Sequence, residues 1–265
     1  MPRLVEYSMR LLAGLILISS LPKVISCGMF FLLIIARKVN HNFLNFASVK
    51  TDCHCHILPG LDDGAKTLEE SLFLAEKLVS WGYGQAVCTS HSNRLYRNTP
   101  FTVTETCYRL QDELDERGIS LKLIPSMEYR LVPETWPEVV AKDWILPWEG
   151  NHVLIELPIH DGSQVGDIVP ANEIRALLAD GLQPVLAHPE RYLYLSMDEY
   201  KALKDAGALF QRNIGTLEGL YGEAVSVRAE ALQADGMYDY VGTDLHNRRY
   251  AEFFDRYVFG LSGSN

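Results

Sequence analysis

Two histidines separated by one residue, His54 and His56, close the run Lys50-Thr51-Asp52-Cys53-His54-Cys55-His56, which reads as a strand over 49–55. Side chains alternate along a strand, so the two imidazoles share a side and can chelate one metal ion. The next stretch, Leu58-Pro59-Gly60-Leu61-Asp62-Asp63-Gly64, has the composition of a tight turn and returns a pair of carboxylates toward the same point. Further candidates recur at or just after the ends of β-type runs: His91, Glu128, Glu156, His188, Asp244 and His246. Together with His54, His56 and Asp62 they exceed what one tetrahedral zinc takes, which implies two or three divalent ions. Imidazole mixed with carboxylate suits manganese, iron, zinc or cobalt better than calcium or a thiolate-bound metal. Set against about three divalent cations, the four carboxylates leave an excess of about two positive charges. Such an excess would hold a phosphate ester inside an otherwise acidic protein.

These residues need a scaffold that brings strand ends together. Thr67-Leu68-Glu69-Glu70 reads as a capping box opening a helix that runs to about Ser80. A β-type run over 85–90 then delivers His91, a helix over 102–117 ends at Gly118, and a strand over 119–126 leads to Glu128. A proline-started helix is expected over 133–142, a strand over 153–157 carrying Glu156, and a helix over 170–180. Strands follow over 182–187, 208–213 and 238–242, with helices over 198–206, 223–234 and 249–258. Strands alternating with helices favour parallel pairing, so the fold class is α/β. A closed or nearly closed β/α barrel carries its chemistry on the loops after the strands, where these candidates fall.

The chain has 265 residues, 48% apolar and 22% charged, the composition of one soluble catalytic domain. Its net charge of -10, with no dense basic cluster, argues against nucleic acid as a partner. Five cysteines show no spaced framework and suit a reducing compartment. Residues 1–48 stand apart: apolar runs broken by Pro22-Lys23, with Arg3 and Arg10 ahead, have the character of a signal, an anchor or an early start codon. The catalytic domain is therefore taken as 49–265.

Several stretches together resemble the polymerase and histidinol phosphatase (PHP) superfamily, and within it the capsular-polysaccharide tyrosine-protein phosphatases of bacteria. They are TDCHCHILPGLDDGAKT over 51–67, Thr89-Ser90-His91, Leu154-Ile155-Glu156, Ala187-His188-Pro189-Glu190-Arg191-Tyr192 and Gly242-Thr243-Asp244-Leu245-His246-Asn247. The family usually has TPHH where this chain has Thr89-Ser90-His91-Ser92, and a glycine where it has Ser126. The resemblance implies a distorted (β/α)7 barrel and a trinuclear site, often manganese, whose ligand pattern maps onto the nine candidates. It implies phosphotyrosine hydrolysis by a metal-activated hydroxide, on the tyrosine-phosphorylated tail of an autokinase that controls polysaccharide export. The family's phosphate-binding arginine maps onto Arg191, whose planar fork can grip two phosphoryl oxygens. Asp62 could protonate the leaving phenolate, Arg248 could add a second clamp, and Tyr192 could stack on the substrate ring. The expected location is the cytoplasm, at the inner face of the membrane if the first segment anchors the chain.

Four other readings compete with this one. Cys88 to Arg94 fits C-x5-R, the loop of cysteine-dependent phosphatases, but it lacks glycine and Cys88 falls inside a β-type run. Cys53 and Cys55 could join a Cys/His zinc knuckle, but alternation sends them opposite to His54 and His56, toward core packing. A small-molecule phosphomonoesterase, such as a histidinol phosphatase, and an inactive membrane-anchored metal-binding scaffold are the alternative functions.

Overall fold

Every expected strand forms, and each pairs in parallel with its sequence neighbours. The computed structural model describes residues 50–261; the readings made for residues 1–48 lie outside them. One sheet holds β1 (Thr51–Cys55), β2 (Gln85–Ser92), β3 (Lys122–Arg130), β4 (His152–Glu156), β5 (Gln183–Ala187), β6 (Leu209–Asn213) and β7 (Tyr240–Gly242), in chain order. The helices between and after them are α1 (Leu68–Ser80), α2 (Pro100–Glu116), α3 (Trp136–Ala141), α4 (Pro170–Ala179), α5 (Met197–Asp205), α6 (Glu223–Ala234) and α7 (Arg248–Phe253). Beyond β7 the chain turns back onto β1. Asp244 N–H donates to His54 O at 2.7 Å and His56 N–H to Leu245 O at 3.0 Å. Thr243 donates to the buried Asp52 from its backbone N–H at 2.8 Å and its hydroxyl at 2.6 Å. These bonds bring the sheet's two edges together and make a nearly closed (β/α)7 barrel.

Local chemistry moves several boundaries. Thr67 caps α1 by accepting from Glu70 N–H, but the Glu70 carboxylate accepts from Lys66 N–H, one residue earlier than a capping box requires. Helix α2 begins before the expected 102 because Thr99 and Thr102 form the box and Pro100 occupies the first turn. In α3 the proline of the first turn is Pro137, and Pro133 precedes the helix. β2 and β3 run past their expected ends, so His91 and Glu128 lie within strands, directly paired in register.

Apolar packing separates into two layers. Between strands and helices, Leu74, Leu78, Cys88, Cys107, Leu110 and Leu114 are fully buried. A smaller cluster of Cys53, Val87, Leu154, Val185 and Ala187, closed by Trp148, fills the barrel interior. Cys53 therefore departs from strict alternation. The register shifts between Asp52 and Cys55, and this irregularity brings Cys53 and His54 both against Gly242, where an added Cβ would meet the His54 Cβ at 2.8 Å and the Cys53 Sγ at 3.2 Å. Cys55 does point outward, into the layer beneath the helices.

Candidate metal centre

The exit of β1 puts His54 Nε2 and His56 Nε2 3.1 Å apart. Glu128 reaches in from β3, its Oε2 3.4 Å from His54 Nε2 and 3.3 Å from His56 Nε2. Asp244, just after β7, brings Oδ1 to 3.3 and 3.4 Å from the same two nitrogens. His91 Nδ1 is 3.0 Å from Glu128 Oε2 and 3.5 Å from Glu156 Oε1, and His188 Nε2 is 3.0 Å from Glu128 Oε1. Overlapping groups result in which every ligand atom lies within 4.8 Å of the others: His54, His56 and Asp244; His54, Glu128 and His188; His91, Glu128 and Glu156; and His56, Asp63, His91 and His246.

The unsatisfied atoms test whether cations fit. His91 Nδ1, Glu128 Oε2 and Glu156 Oε2 are buried without a hydrogen bond, and their residues form one of these groups. Buried polar atoms of this kind are costly unless paired, and a cation among them would satisfy all three. The opposite nitrogens are already engaged: His54 Nδ1 lies 2.7 Å from Gln211 Oε1, and His56 Nδ1 2.9 Å from Asp62 Oδ2. Outer partners of this type fix the ring and leave Nε2 for an ion. His188 and Asp244 have φ values of 33° and 52°. Two non-glycine candidate ligands in the left-handed region, each right after a strand, mark a place where the fold holds the backbone for a side chain.

Neighbouring charges set the protonation of part of the cluster. Burial works against the His54 and His56 imidazoliums, yet the carboxylates of Glu128 and Asp244 around His54, and of Asp62 beside His56, outweigh it and raise both. His91 is lifted to about 10 by Glu128 against the effect of burial. Glu128 and Asp244 stay far below the usual carboxylate range because the surrounding histidines overcome burial. His246 goes the other way, to about 4, since burial and the His56 charge both oppose its protonation.

A cavity of about 210 Å³ opens over the cluster. Arg191 stands at its edge, with Nη1 3.4 Å from Asp244 Oδ2 and the guanidinium 4.6 Å from the centre of the Tyr221 ring. Asn213 and Tyr221 hold the same Asp244 oxygen at 2.7 and 3.2 Å. Arg130 also lines the cavity, its Nε donating to Glu156 Oε1 at 2.8 Å.

This barrel, with its buried histidines and carboxylates at the strand exits, can be set beside known proteins. Residues 50–252 match the family described as capsular polysaccharide synthesis, CpsB/CapC. The chain belongs to that family. It is 29% identical over 208 residues to the tyrosine-protein phosphatase YwqE of Bacillus subtilis, spanning 76% of this chain and 79% of the relative. It is 28% identical over 206 residues to the tyrosine-protein phosphatase CpsB of Streptococcus agalactiae, spanning 74% and 82%. A solved structure described among YwqE from Bacillus subtilis and CpsB from Streptococcus pneumoniae, as metal-dependent tyrosine phosphatases, superimposes with a TM-score of 0.68 at 29% identity. The superposition covers 82% of this chain and 89% of that one.

Within this CpsB/CapC chain, His54, His56, His91, Glu128, Glu156, His188, Asp244 and His246 all fall into the ligand groups. Asp62 does not. Its oxygens accept from Gly64 N–H at 2.9 Å and His91 N–H at 3.0 Å and meet His56 Nδ1, so it stands behind the cluster. Those contacts, the His56 charge foremost, hold its carboxyl well below the usual range despite burial, which disfavours the expected role of proton donor. The neighbouring Asp63 is the carboxylate that joins a ligand group, with Oδ1 3.3 Å from His91 Nε2 and 3.7 Å from His246 Nε2. Gly64 is required by this turn, because an added Cβ would sit 2.0 Å from His56 O.

Two expected substrate contacts are turned away. Arg248 lays its guanidinium over the Phe73 ring of α1, 3.8 Å from the ring centre, and does not line the cavity. Tyr192 is fully buried behind His188, its hydroxyl donating to Ala187 O at 2.9 Å and accepting from Leu157 N–H at 3.0 Å. Glu190, next to Arg191 in sequence, is buried and accepts from Asn213 N–H, Thr216 and Tyr238. Arg130 was missed, although it lies two residues after Glu128 in the same strand, and a period of two turns both toward the barrel interior.

Proposed function

We propose that the chain is a metal-dependent protein-tyrosine phosphatase, hydrolysing phosphotyrosine to tyrosine and inorganic phosphate at the cavity over the β1 histidines. The observation that carries this reading is the convergence of buried ligand atoms, three of them without a hydrogen bond, beneath a cavity edged by two guanidiniums. Divalent ions in such a cage supply Lewis acidity toward a phosphoryl oxygen and a water acidified toward neutral pH. In this reading two or three ions are held by His54, His56, Asp63, His91, Glu128, Glu156, His188, Asp244 and His246, with manganese the first candidate. Arg191 and Arg130 bind the equatorial phosphoryl oxygens as negative charge develops on them, each anchored by one carboxylate and keeping further N–H donors. Asp62 and Gln211 orient the β1 histidines. Phenolate leaves readily, so no side-chain acid is assigned to it.

The substrate we infer is the tyrosine-phosphorylated tail of an autokinase that regulates capsular or exopolysaccharide export, met in the cytoplasm at the membrane's inner face. The family's description in capsular polysaccharide synthesis supports this. No helix among the described residues is long and apolar enough to cross a membrane. The test is kcat/KM on a phosphotyrosine peptide against histidinol phosphate and a phosphoserine peptide. The reading expects the phosphotyrosine peptide to be preferred; a preference of about tenfold, or 1.4 kcal/mol, for histidinol phosphate would replace it with a small-molecule phosphatase.

A further inference from the structure

The cavity over the ligand cluster continues past Arg191. A second cleft of about 370 Å³ shares Ile159 and Arg191 with it and is bounded by Tyr194 and Tyr221. Leu193 in turn belongs both to this cleft and to an open, mainly apolar groove of about 600 Å³, whose far wall is Val227 of α6. Each space shares a lining residue with the next, so the three lie in series as a track from the ligand cluster, past the arginine, to an apolar surface.

The track's walls are built in advance. Tyr194 is fixed by its hydroxyl donating to Pro158 O at 2.8 Å, and its ring is packed so closely on Gly162 that an added Cβ there would come within 2.6 Å. Further along, Leu193 and Val227 are 44% and 57% exposed, so two branched aliphatic side chains of one groove face solvent. Neighbouring exposed apolar side chains of this kind favour a partner's apolar group. Arg228, the arginine of the same groove, is turned inward to Leu195 O and the Tyr200 hydroxyl. Glu223 is then the groove's exposed charge, at one end of an otherwise apolar lining.

We propose that this track binds the polypeptide around the phosphotyrosine, with an apolar side chain of the flanking segment seated between Leu193 and Val227. This rests on the phosphatase reading above. A ligand reaching both ends must carry a phosphoryl group and an apolar group on one connected chain, which a phosphorylated peptide does and a small phosphate does not. An extended peptide advances about 3.3 Å per residue, so a segment of a few residues spans such a run. The specificity inferred is for phosphotyrosine with aliphatic neighbours.

The test compares the full chain with Val227→Asp, Leu193→Asp and Val227→Lys, all at exposed positions. Its substrates are phenyl phosphate and two phosphotyrosine peptides that differ only in carrying Leu or Asp at the flanking positions. Wild type should prefer the Leu peptide by about tenfold, the size of one aliphatic contact in a pocket. Both Asp variants should lower the ratio of Leu-peptide to phenyl-phosphate kcat/KM by a similar factor, and Val227→Lys should shift preference toward the Asp peptide. Equal wild-type rates on the two peptides, or ratios unmoved in all three variants, would overturn the track while leaving the phosphatase reading intact. Absence of hydrolysis of every substrate would overturn that reading and the track with it.

Discussion

Asp62 supports His56 from behind: its Oδ2 lies 2.9 Å from His56 Nδ1 while His56 Nε2 faces Glu128 and Asp244. The next residue, Asp63, sends its carboxylate to the cavity side, toward His91 and His246. Two adjacent aspartates thus take different positions, and single substitutions should separate them. Asp62→Asn is expected to weaken metal affinity by about 10- to 100-fold and to regain full loading in excess metal, as for loss of an outer partner. Asp63→Ala should lose part of its metal even in excess. Elemental analysis at saturating metal decides; a fully loaded Asp63→Ala with an underloaded Asp62→Asn would reverse the assignment.

The two cavity arginines are separable from the ligands in the same way. Arg191→Ala and Arg130→Ala should keep their metal content and each lose about 10²- to 10³-fold in kcat/KM on a phosphotyrosine peptide, the range for one preorganised charge-stabilising donor. Lysine at either position should rescue only in part, because an ammonium cannot make the bidentate contact. Arg248→Ala, whose guanidinium covers Phe73, should stay within a few-fold of wild type. Steady-state kinetics on metal-matched preparations would show whether that order holds.

Loading with metal should release protons. In the metal-free chain His91 is held at about 10 and His56 is also raised, so both carry protons at neutral pH that a cation must displace. His246, at about 4, is already neutral and contributes none. Raised values mean that protons compete more strongly as pH falls, so apparent affinity should climb from pH 6 to pH 8. Calorimetric titration with manganese in buffers of different ionisation enthalpy should find at least one proton released per molecule at pH 7. Affinity flat across this range with no net proton release would contradict the proton-loaded cluster.

Cys88 provides a contrast with His56. It is fully buried, and its hydrogen-bonded contacts with Cys107 and Cys55, together with burial, push its thiol well above the ordinary value. Cys88→Ser should leave kcat/KM within a few-fold, while His56→Ala should lower it by orders of magnitude. The opposite order would bring back the cysteine-loop chemistry that Cys88 to Arg94 superficially matches.

Much of this architecture can be read from residue pattern because the barrel's logic is periodic. Strand ends are marked by apolar runs meeting turn residues, and eight candidate ligands sit at or near those marks. Choosing between Asp62 and Asp63 cannot be done that way: they have the same chemistry and adjacent positions, and the choice is made by a turn in which Gly64 N–H binds Asp62. The irregularity in β1 that carries Cys53 inward leaves no compositional trace. Arg130 was within reach, since it shares its parity with Glu128. Tyr192 and Arg248 lie near ligands in sequence without lying against the cavity. One hydroxyl is spent on the backbone after β5, and one guanidinium is drawn to an aromatic ring outside the barrel mouth.

The central claim is that the nucleophile's reactivity comes from ions held in this cluster, not from a side chain. Its most direct test is hydrolysis of a phosphotyrosine peptide by the full chain before chelation, after exhaustive chelation and dialysis, and after manganese is returned. Activity should be lost on stripping and should recover with manganese, in step with restored metal content. Full activity in the verified metal-free protein would contradict it.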